Sequence, residues 1–338
     1  METILAQTMT DWELIVCDSY SNDGSWEFFQ KFKGDPRVRL YQVPREGMYA
    51  GWNECLKRVK GQFVYFATSD DTAKPTCLER LSSVLSRYKD VDLAICGYEA
   101  IDEASKVLVP QPGNLGKFYG AWQAIPHRRA GLLEFFVHVG FYGPSWGTMT
   151  AVLFRSRLLE KTGGFRTDCG SSADWFWAIR TALFTDTVYM PDVLATWRVH
   201  PSQATKKHHP LPVLKHSYRL LQQAVLDSQD LLPASVTDVD DWLATLLRNY
   251  RGEYLLQLGL DRRTIQAKPM TTVKGVVYGL LHEPRYVLAR LLTGLTWEQE
   301  FFGHEEDYLQ RLMSKMQVPW PPEPVGSDWC VTGKEPVV

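Results

Sequence analysis

The sequence predicts an α/β fold: a mostly parallel sheet flanked by helices, followed by a helical C-terminal extension. Three observations carry that prediction. Short apolar runs of strand length alternate with segments of helical period up to about His200, as repeated β-α-β units require. Two of those runs end in acidic residues, at the sheet edge where open α/β folds place their ligands. Beyond His200 the strand pattern fades and helical periods remain. A chain of 338 residues, 45% of them hydrophobic, has enough apolar material to close such a core as one large domain or two.

In chain order, Glu2–Thr8 predicts a short helix and Glu13–Cys17 a strand. That strand stops at Asp18, and a helix opens near Gly24, leaving Asp18, Ser21 and Asp23 at the strand's end. Asp23 equally suits the first turn of a helix, where the dipole favours negative charge. Val38–Val43 is the second strand, and Gly47–Lys60 is a helix with Tyr49, Trp52, Leu56 and Val59 on one face. Phe63–Thr68 then runs into Thr68, Ser69, Asp70 and Asp71, before Pro75. A plain turn would use the same residue types, so the pair of carboxylates is ambiguous by itself. Thr76–Tyr88 is helical, with Leu78, Leu81, Leu85 and Tyr88 aligned, and Asp92–Gly97, Met149–Phe154 and Val188–Met190 complete the strands.

Phe135–Phe154 carries no formal charge over 20 residues, enough to span a bilayer. Gly140, Gly143, Pro144 and Gly147 interrupt it, and unpaired backbone is costly in lipid, so it predicts a helix end, a loop and a buried strand. After His200, residues 218–226, 240–250 and 306–316 read as helices. Residues 272–295 alternate apolar positions with Lys274, Arg285 and Arg290 and are expected to pack on the α/β domain rather than on a membrane. Four prolines between Pro319 and Pro324 make the tail extended or disordered. The organisation expected is therefore 1–205, 206–318 and 319–338.

Lys plus Arg number 37 against 39 Asp plus Glu, so no overall field favours nucleic acid. The six cysteines form no Cys-x-x-Cys pair and read as reduced thiols of a cytoplasmic protein. The opening "METILAQTMTDW" has neither the basic start nor the apolar stretch of a signal peptide.

The segments "DWELIVCDSYSNDGSWE", "VRLYQVPREGMYAGWNECLKRVKGQFVYFATSDDTAKPTCLERL", "LEKTGGFRTDCGSSADWFWAIRTA" and "WRVHPSQAT", in that order and spacing, resemble family 2 glycosyltransferases. The resemblance covers roughly residues 1 to 205 and implies the GT-A fold, a Rossmann-like sheet binding a nucleotide sugar. It implies that Asp18 hydrogen-bonds the nucleotide base, with Ser21 beside it, and that Arg45 and Asn53 flank the helix lining the nucleotide pocket. Thr68, Ser69 and Asp70 stand at the family's Asp-x-Asp motif, so Thr68 replaces its first aspartate. Asp70 would hold a divalent metal, Mn²⁺ or Mg²⁺, helped by His200 of "WRVHPS". In "SADWFW" Ala173 stands in the place of a glutamate, and Asp174 is retained as the general base. Trp146 and Trp175 are candidates to stack on the acceptor sugar. The helix dipole and the metal are expected to hold the Asp174 carboxyl ionised against desolvation.

The activity implied is inverting transfer of a sugar from a nucleotide-diphosphate donor to a hydroxyl on a glycan or lipid-linked glycan. A peripheral membrane contact at the inner face and a homodimer stay open. The family's first strand, ending near Pro-x-Tyr-Asn, precedes the helix at Glu2–Thr8. Its position between Glu13–Cys17 and Phe63–Thr68 is expected to be unfilled, with the missing strand encoded upstream of Met1. Two rivals stand beside the enzyme reading: a non-catalytic nucleotide-sugar or glycan binding module, and a nucleotidyltransferase, which would want a glycine-rich basic phosphate loop.

Overall fold

The computed structural model describes residues 1–110, 119–140, 143–201, 203, 219–232, 266–282, 284, 285, 287, 288, 314, 317–320 and 322–326. The chain divides into two compact units, Met1–Pro201 with Pro319–Val338, and Ser202–Val318.

The first unit is an α/β fold. Helix α1 (Glu2–Leu5) is followed by β1 (Leu14–Asp18), α2 (Ser25–Gln30), β2 (Val38–Gln42), α3 (Met48–Leu56), β3 (Phe63–Tyr65) and α4 (Cys77–Arg87). Then come β4 (Leu93–Ile101), β5 (Val107–Pro110), β6 (His127–Arg129), α5 (Gly131–Gly140), β7 (Val152–Arg155), α6 (Leu159–Thr162), α7 (Ala173–Ala182), β8 (Thr187–Arg198) and β9 (Glu323–Pro324). β1 and β2 pair in parallel, from Leu14 opposite Val38 to Asp18 opposite Gln42. A second sheet has the order β3-β7-β4-β8-β6-β9, with β5 also on β4. β4 and β8 are parallel along nearly their whole length. β7 lies antiparallel between β3 and β4, so β3, β4 and β8 point the same way. β1 and β3 share no ladder; the sheet is interrupted at the position expected to be unfilled.

The core follows from the period of α4. Cys77, Leu78, Leu81, Val84 and Leu85 are at most 7% exposed and meet Ala94 and Cys96 of β4, Leu153 of β7, and Val188 and Met190 of β8. Each large aliphatic side chain buried this way contributes about 1.5–3 kcal/mol. The uncharged stretch resolves into α5, a loop and β7, and no described helix is long and apolar enough to cross a membrane. The predicted strand at Met149–Phe154 starts later, because Met149–Ala151 form a 3₁₀ turn first.

β5, β6 and β9 went unpredicted, and β8 was predicted only in part. β6 reads His-Arg-Arg and shows no apolar alternation, yet it pairs with β8 and carries β9 on its other edge. Its Arg128 points outward to Asp186 at 2.6 Å and Asp90 at 2.7 Å. β5 is a short exposed edge whose Val107 and Leu108 face solvent. β8, seen in the sequence only as Val188–Met190, extends to Arg198.

Behind the sheet lies a buried polar cluster. Glu134 of α5 accepts a hydrogen bond from the Tyr119 hydroxyl at 2.6 Å and another from the Ser145 hydroxyl. The Arg129 guanidinium lies 3.6 Å from the same carboxylate. Burial opposes that charge, but Arg129, His138, Ser145 and Tyr119 together hold the Glu134 carboxyl below its ordinary value. His138 accepts from Ser145 N at 3.0 Å, and His127 accepts from Arg129 Nε at 2.8 Å. Burial pushes His127 down to about 3, helped by Arg129, and pushes His138 down to about 4.

In the second unit, residues 219–226 are helical with Leu221 and Val225 buried. Helix α8 (Pro269–His282) leaves Met270, Val273, Val277 and Leu281 exposed. The helices predicted at 240–250 and 306–316 lie outside the described residues, except that residue 314 is helical. Cys17, Cys55, Cys77, Cys96 and Cys169 are free thiols.

Candidate active site

Past β3, the chain is stitched to the far half of β8. Lys74 N donates to Leu194 O at 2.8 Å and Thr196 N to Thr72 O at 2.9 Å, while Thr72 N donates to Thr196 Oγ1 at 2.8 Å. This carries the acidic pair to the end of β8, where His200 Nε2 lies 3.2 Å from Asp70 Oδ2, 130 residues away in sequence. The Asp70 and His200 side chains keep 42% and 22% of their surface, so a ligand can reach both.

Asp71 turns the other way. Its Oδ2 accepts from the hydroxyls of Thr68 at 2.7 Å, Thr150 at 2.8 Å and Thr148 at 3.2 Å, and its Oδ1 from Arg198 N at 2.7 Å. The Thr68 hydroxyl is thereby committed to Asp71. Ser69 is exposed between them. Arg198, which no motif singled out, organises the edge. Its Nε donates to Asp70 O at 2.8 Å and its Nη1 to Asp102 O at 2.6 Å, while Nη2 reaches Ser105 Oγ at 3.1 Å. The acidic loop is thus braced against the β4–β5 turn. Among the described residues no three His, Cys, Asp or Glu side chains converge. Asp70 with His200 is a two-ligand set with open positions, which suits a hard ion whose remaining places go to phosphate oxygens and water.

At the end of β1, Asp18 is 6% exposed, and its Oδ2 accepts from Ser21 N at 3.0 Å. Arg45, beyond β2, donates from Nε to Ser19 O at 3.2 Å and from Nη2 to Tyr20 O at 3.1 Å. The sequence placed Arg45 and Asp18 at one pocket, and the fold joins their loops. Tyr20 between them has φ 54° and is 61% exposed.

Asp174 sits in the first turn of α7. Its Oδ1 accepts from Trp175 N at 2.8 Å, and the Tyr49 hydroxyl, which donates to Ser171 O at 3.3 Å, is near enough to favour its charged form. Burial raises the Asp174 carboxyl above its ordinary value, against the hydrogen bonds of Trp175 and Tyr49. Among the protein's own groups desolvation is therefore the larger effect, and the charge of a metal at Asp70 would act against it. Tyr49 escaped notice because it also fits the apolar face of α3.

Asn53 clamps α3 to the chain ahead of α7: Nδ2 donates to Phe165 O at 2.7 Å and Oδ1 accepts from Phe165 N at 2.8 Å, which leaves one N–H and one oxygen lone pair. Two assignments are corrected. Trp146 is 2% exposed and Trp175 5%, so neither presents a face to a sugar. Trp146 packs between His138 and Trp177, and Trp175 donates from Nε1 to His138 O at 2.7 Å. Residue type next to an acid does not reveal which way a ring points.

Residues 1–154 match the sequence profile of Glycosyl transferase family 2. EpsE of Bacillus subtilis (strain 168) is 29% identical over 126 residues, 35% of this chain and 45% of EpsE. The glycosyltransferase GlyG of Streptococcus pneumoniae is 34% identical over 106 residues, 31% of this chain and 35% of GlyG. The chain therefore spans less than half of each of these curated relatives. Residues 1–349 of S. aureus TarS, solved in complex with UDP-GlcNAc, align with 95% of this chain and 88% of that one at a TM-score of 0.57 and 16% identity. That is a likeness of fold, and the fold is GT-A.

Proposed function

Taking residues 1–154 as a family 2 glycosyltransferase domain, we propose that the chain transfers a sugar from a nucleotide-diphosphate donor to a hydroxyl of a glycan or lipid-linked glycan, with inversion. The observation that carries it is the meeting of Asp70 and His200 at 3.2 Å, two residues assigned to one metal from motifs far apart in the sequence. Asp18, with a carboxylate that can only accept when ionised, suits a base bearing an N–H on its pairing edge. Ser21 and Arg45 shape that loop, and Thr68 and Ser69 lead into Asp70. Mn²⁺ or Mg²⁺, held by Asp70 and His200, would neutralise charge that builds on the leaving diphosphate.

Asp174 is the proposed base. Partial burial keeps water away from the carboxylate, and a carboxyl raised above its ordinary value is better matched to a hydroxyl proton. Tyr49 and Trp175 N orient it. One base acting opposite a leaving group inverts the anomeric centre without a covalent intermediate.

The test is binding of UDP, GDP, dTDP and CMP with Mn²⁺ by thermal shift, followed by donor hydrolysis and transfer. Asp70→Asn should abolish the metal-dependent part of nucleotide binding. An Asn variant that binds as tightly as the parent removes the metal assignment, and a parent that binds donor without hydrolysing or transferring it restores the binding-module reading.

A further inference from the structure

We propose that Tyr20 is the stacking platform for the nucleobase of the donor, an inference that rests on the nucleotide-sugar reading above. Three non-glycine residues among those described have positive φ: Tyr20, Ser105 and Gln317. Ser105 sits in the β4–β5 turn and Gln317 lies in the other unit; both have side chains that tolerate such turns better than an aromatic does. A bulky side chain in the left-handed region is a genuine outlier, and an outlier held in place by its surroundings points to use rather than accident.

The surroundings of Tyr20 do hold it. Arg45 grips the carbonyls of Ser19 and Tyr20 at 3.2 and 3.1 Å, and Ser21 N is fixed on Asp18 Oδ2 at 3.0 Å. Glycine would satisfy this backbone without strain. The tyrosine ring gains little from packing in return, because the residue is 61% exposed, and among the described residues its hydroxyl has no hydrogen-bond partner. The fold thus spends strain to present a flat aromatic face two residues from a buried carboxylate. A ring face together with an acceptor is what a nucleobase recognises, through stacking on one and an N–H to the other. A sugar acceptor would want several hydroxyl partners, which this turn does not offer: its carbonyls at positions 19 and 20 are already taken by Arg45.

The experiment is calorimetric titration of the full chain with Mn²⁺ and, separately, UDP, GDP and inorganic pyrophosphate, for the parent, Tyr20→Phe and Tyr20→Gly. Stacking worth that of one base on one ring predicts that Tyr20→Gly binds the preferred nucleotide about tenfold more weakly, while Tyr20→Phe binds it like the parent. Pyrophosphate, which has no base, should bind all three alike. The unfolding midpoint of Tyr20→Gly should stay level or rise, since glycine relieves the positive φ. Equal nucleotide affinity for Tyr20→Gly and the parent overturns the proposal, as does an equal loss for nucleotide and pyrophosphate, which would mean a collapsed loop. A parent that binds neither UDP nor GDP overturns the nucleotide-sugar reading itself, and the platform with it.

Discussion

Two clusters in the first unit combine acid, histidine and arginine to opposite ends. In the one behind the sheet, Glu134, Arg129, His127 and His138 are each at most 2% exposed, and the Glu134 carboxylate is enclosed by Tyr119, Ser145 and Arg129. In the other, at the end of β3 and β8, Asp70 and His200 meet at 3.2 Å but keep 42% and 22% of their side-chain surface. The difference teaches that residue type does not mark a site; access does. A carboxylate removed from water must be surrounded by donors, and those around Glu134 shut its carboxylate off from solvent. Asp71 shows the same division one residue from Asp70, since four donors occupy it.

The largest expected effect separates the clusters by stability. Glu134→Ala leaves the Arg129 charge buried without its partner and should cost about 3–5 kcal/mol, whereas Asp70→Ala at the open edge should cost less than about 0.5 kcal/mol. Urea denaturation of both variants checks this, and equal losses would erase the contrast.

Asp174 lies between the two extremes, half-buried and proposed for chemistry like the second. Asp174→Asn should lower transfer at least about 10²-fold with donor affinity nearly intact; a near-normal kcat would make it a structural acid. Because burial raises its carboxyl above the ordinary 3.8, ionising it costs the folded state free energy as pH rises from that value through the raised one. The Asn variant should therefore melt above the parent at pH 7 and level with it near pH 3.

Asp71→Asn should cost about 1–3 kcal/mol, as hydroxyls of Thr68, Thr148 and Thr150 and the amide of Arg198 lose a charged acceptor. It should also weaken Mn²⁺ binding at Asp70, which is read by titration with the metal alone. A variant that loses stability but binds Mn²⁺ normally would confine Asp71 to the scaffold.

The mildest test is a slope. His127 and His138 are held neutral, pushed down to about 3 and about 4, so the stability they allow is full above the unfolded value near 6.5 and is lost as pH falls toward those values. His138→Gln should make the fall in stability shallower by roughly 1.4 kcal/mol per pH unit, one proton's worth. An unchanged slope would place the acid sensitivity elsewhere.

Much of this was legible beforehand. The apolar runs ending at Asp18 and Asp70, the helix period of Leu78, Leu81 and Leu85, and the loop inside the uncharged 135–154 stretch all follow from local pattern, because each reflects one segment's own need to bury a face. β6 was not legible, since His127 and Arg129 face a polar interior that other segments supply and Arg128 faces two aspartates. Trp146 and Trp175 misled for a related reason: they pack on or bond to His138 and Trp177, contacts that no spacing rule reports.

What the sequence by itself determined is the alternation of strand and helix, the burial of α4, the acids at the strand ends and the pairing of Asp70 with His200 through motif resemblance. What the tertiary structure alone decided is which of those acids stays open. Asp70 and Asp71 are adjacent and chemically identical, and only the return of β8 with Arg198, together with Thr148 and Thr150 from the loop before β7, turns one inward and leaves the other to solvent. Desolvation and hydrogen-bond satisfaction depend on everything within a few ångströms, whatever its place in the chain, so the division between scaffold and site is settled by packing.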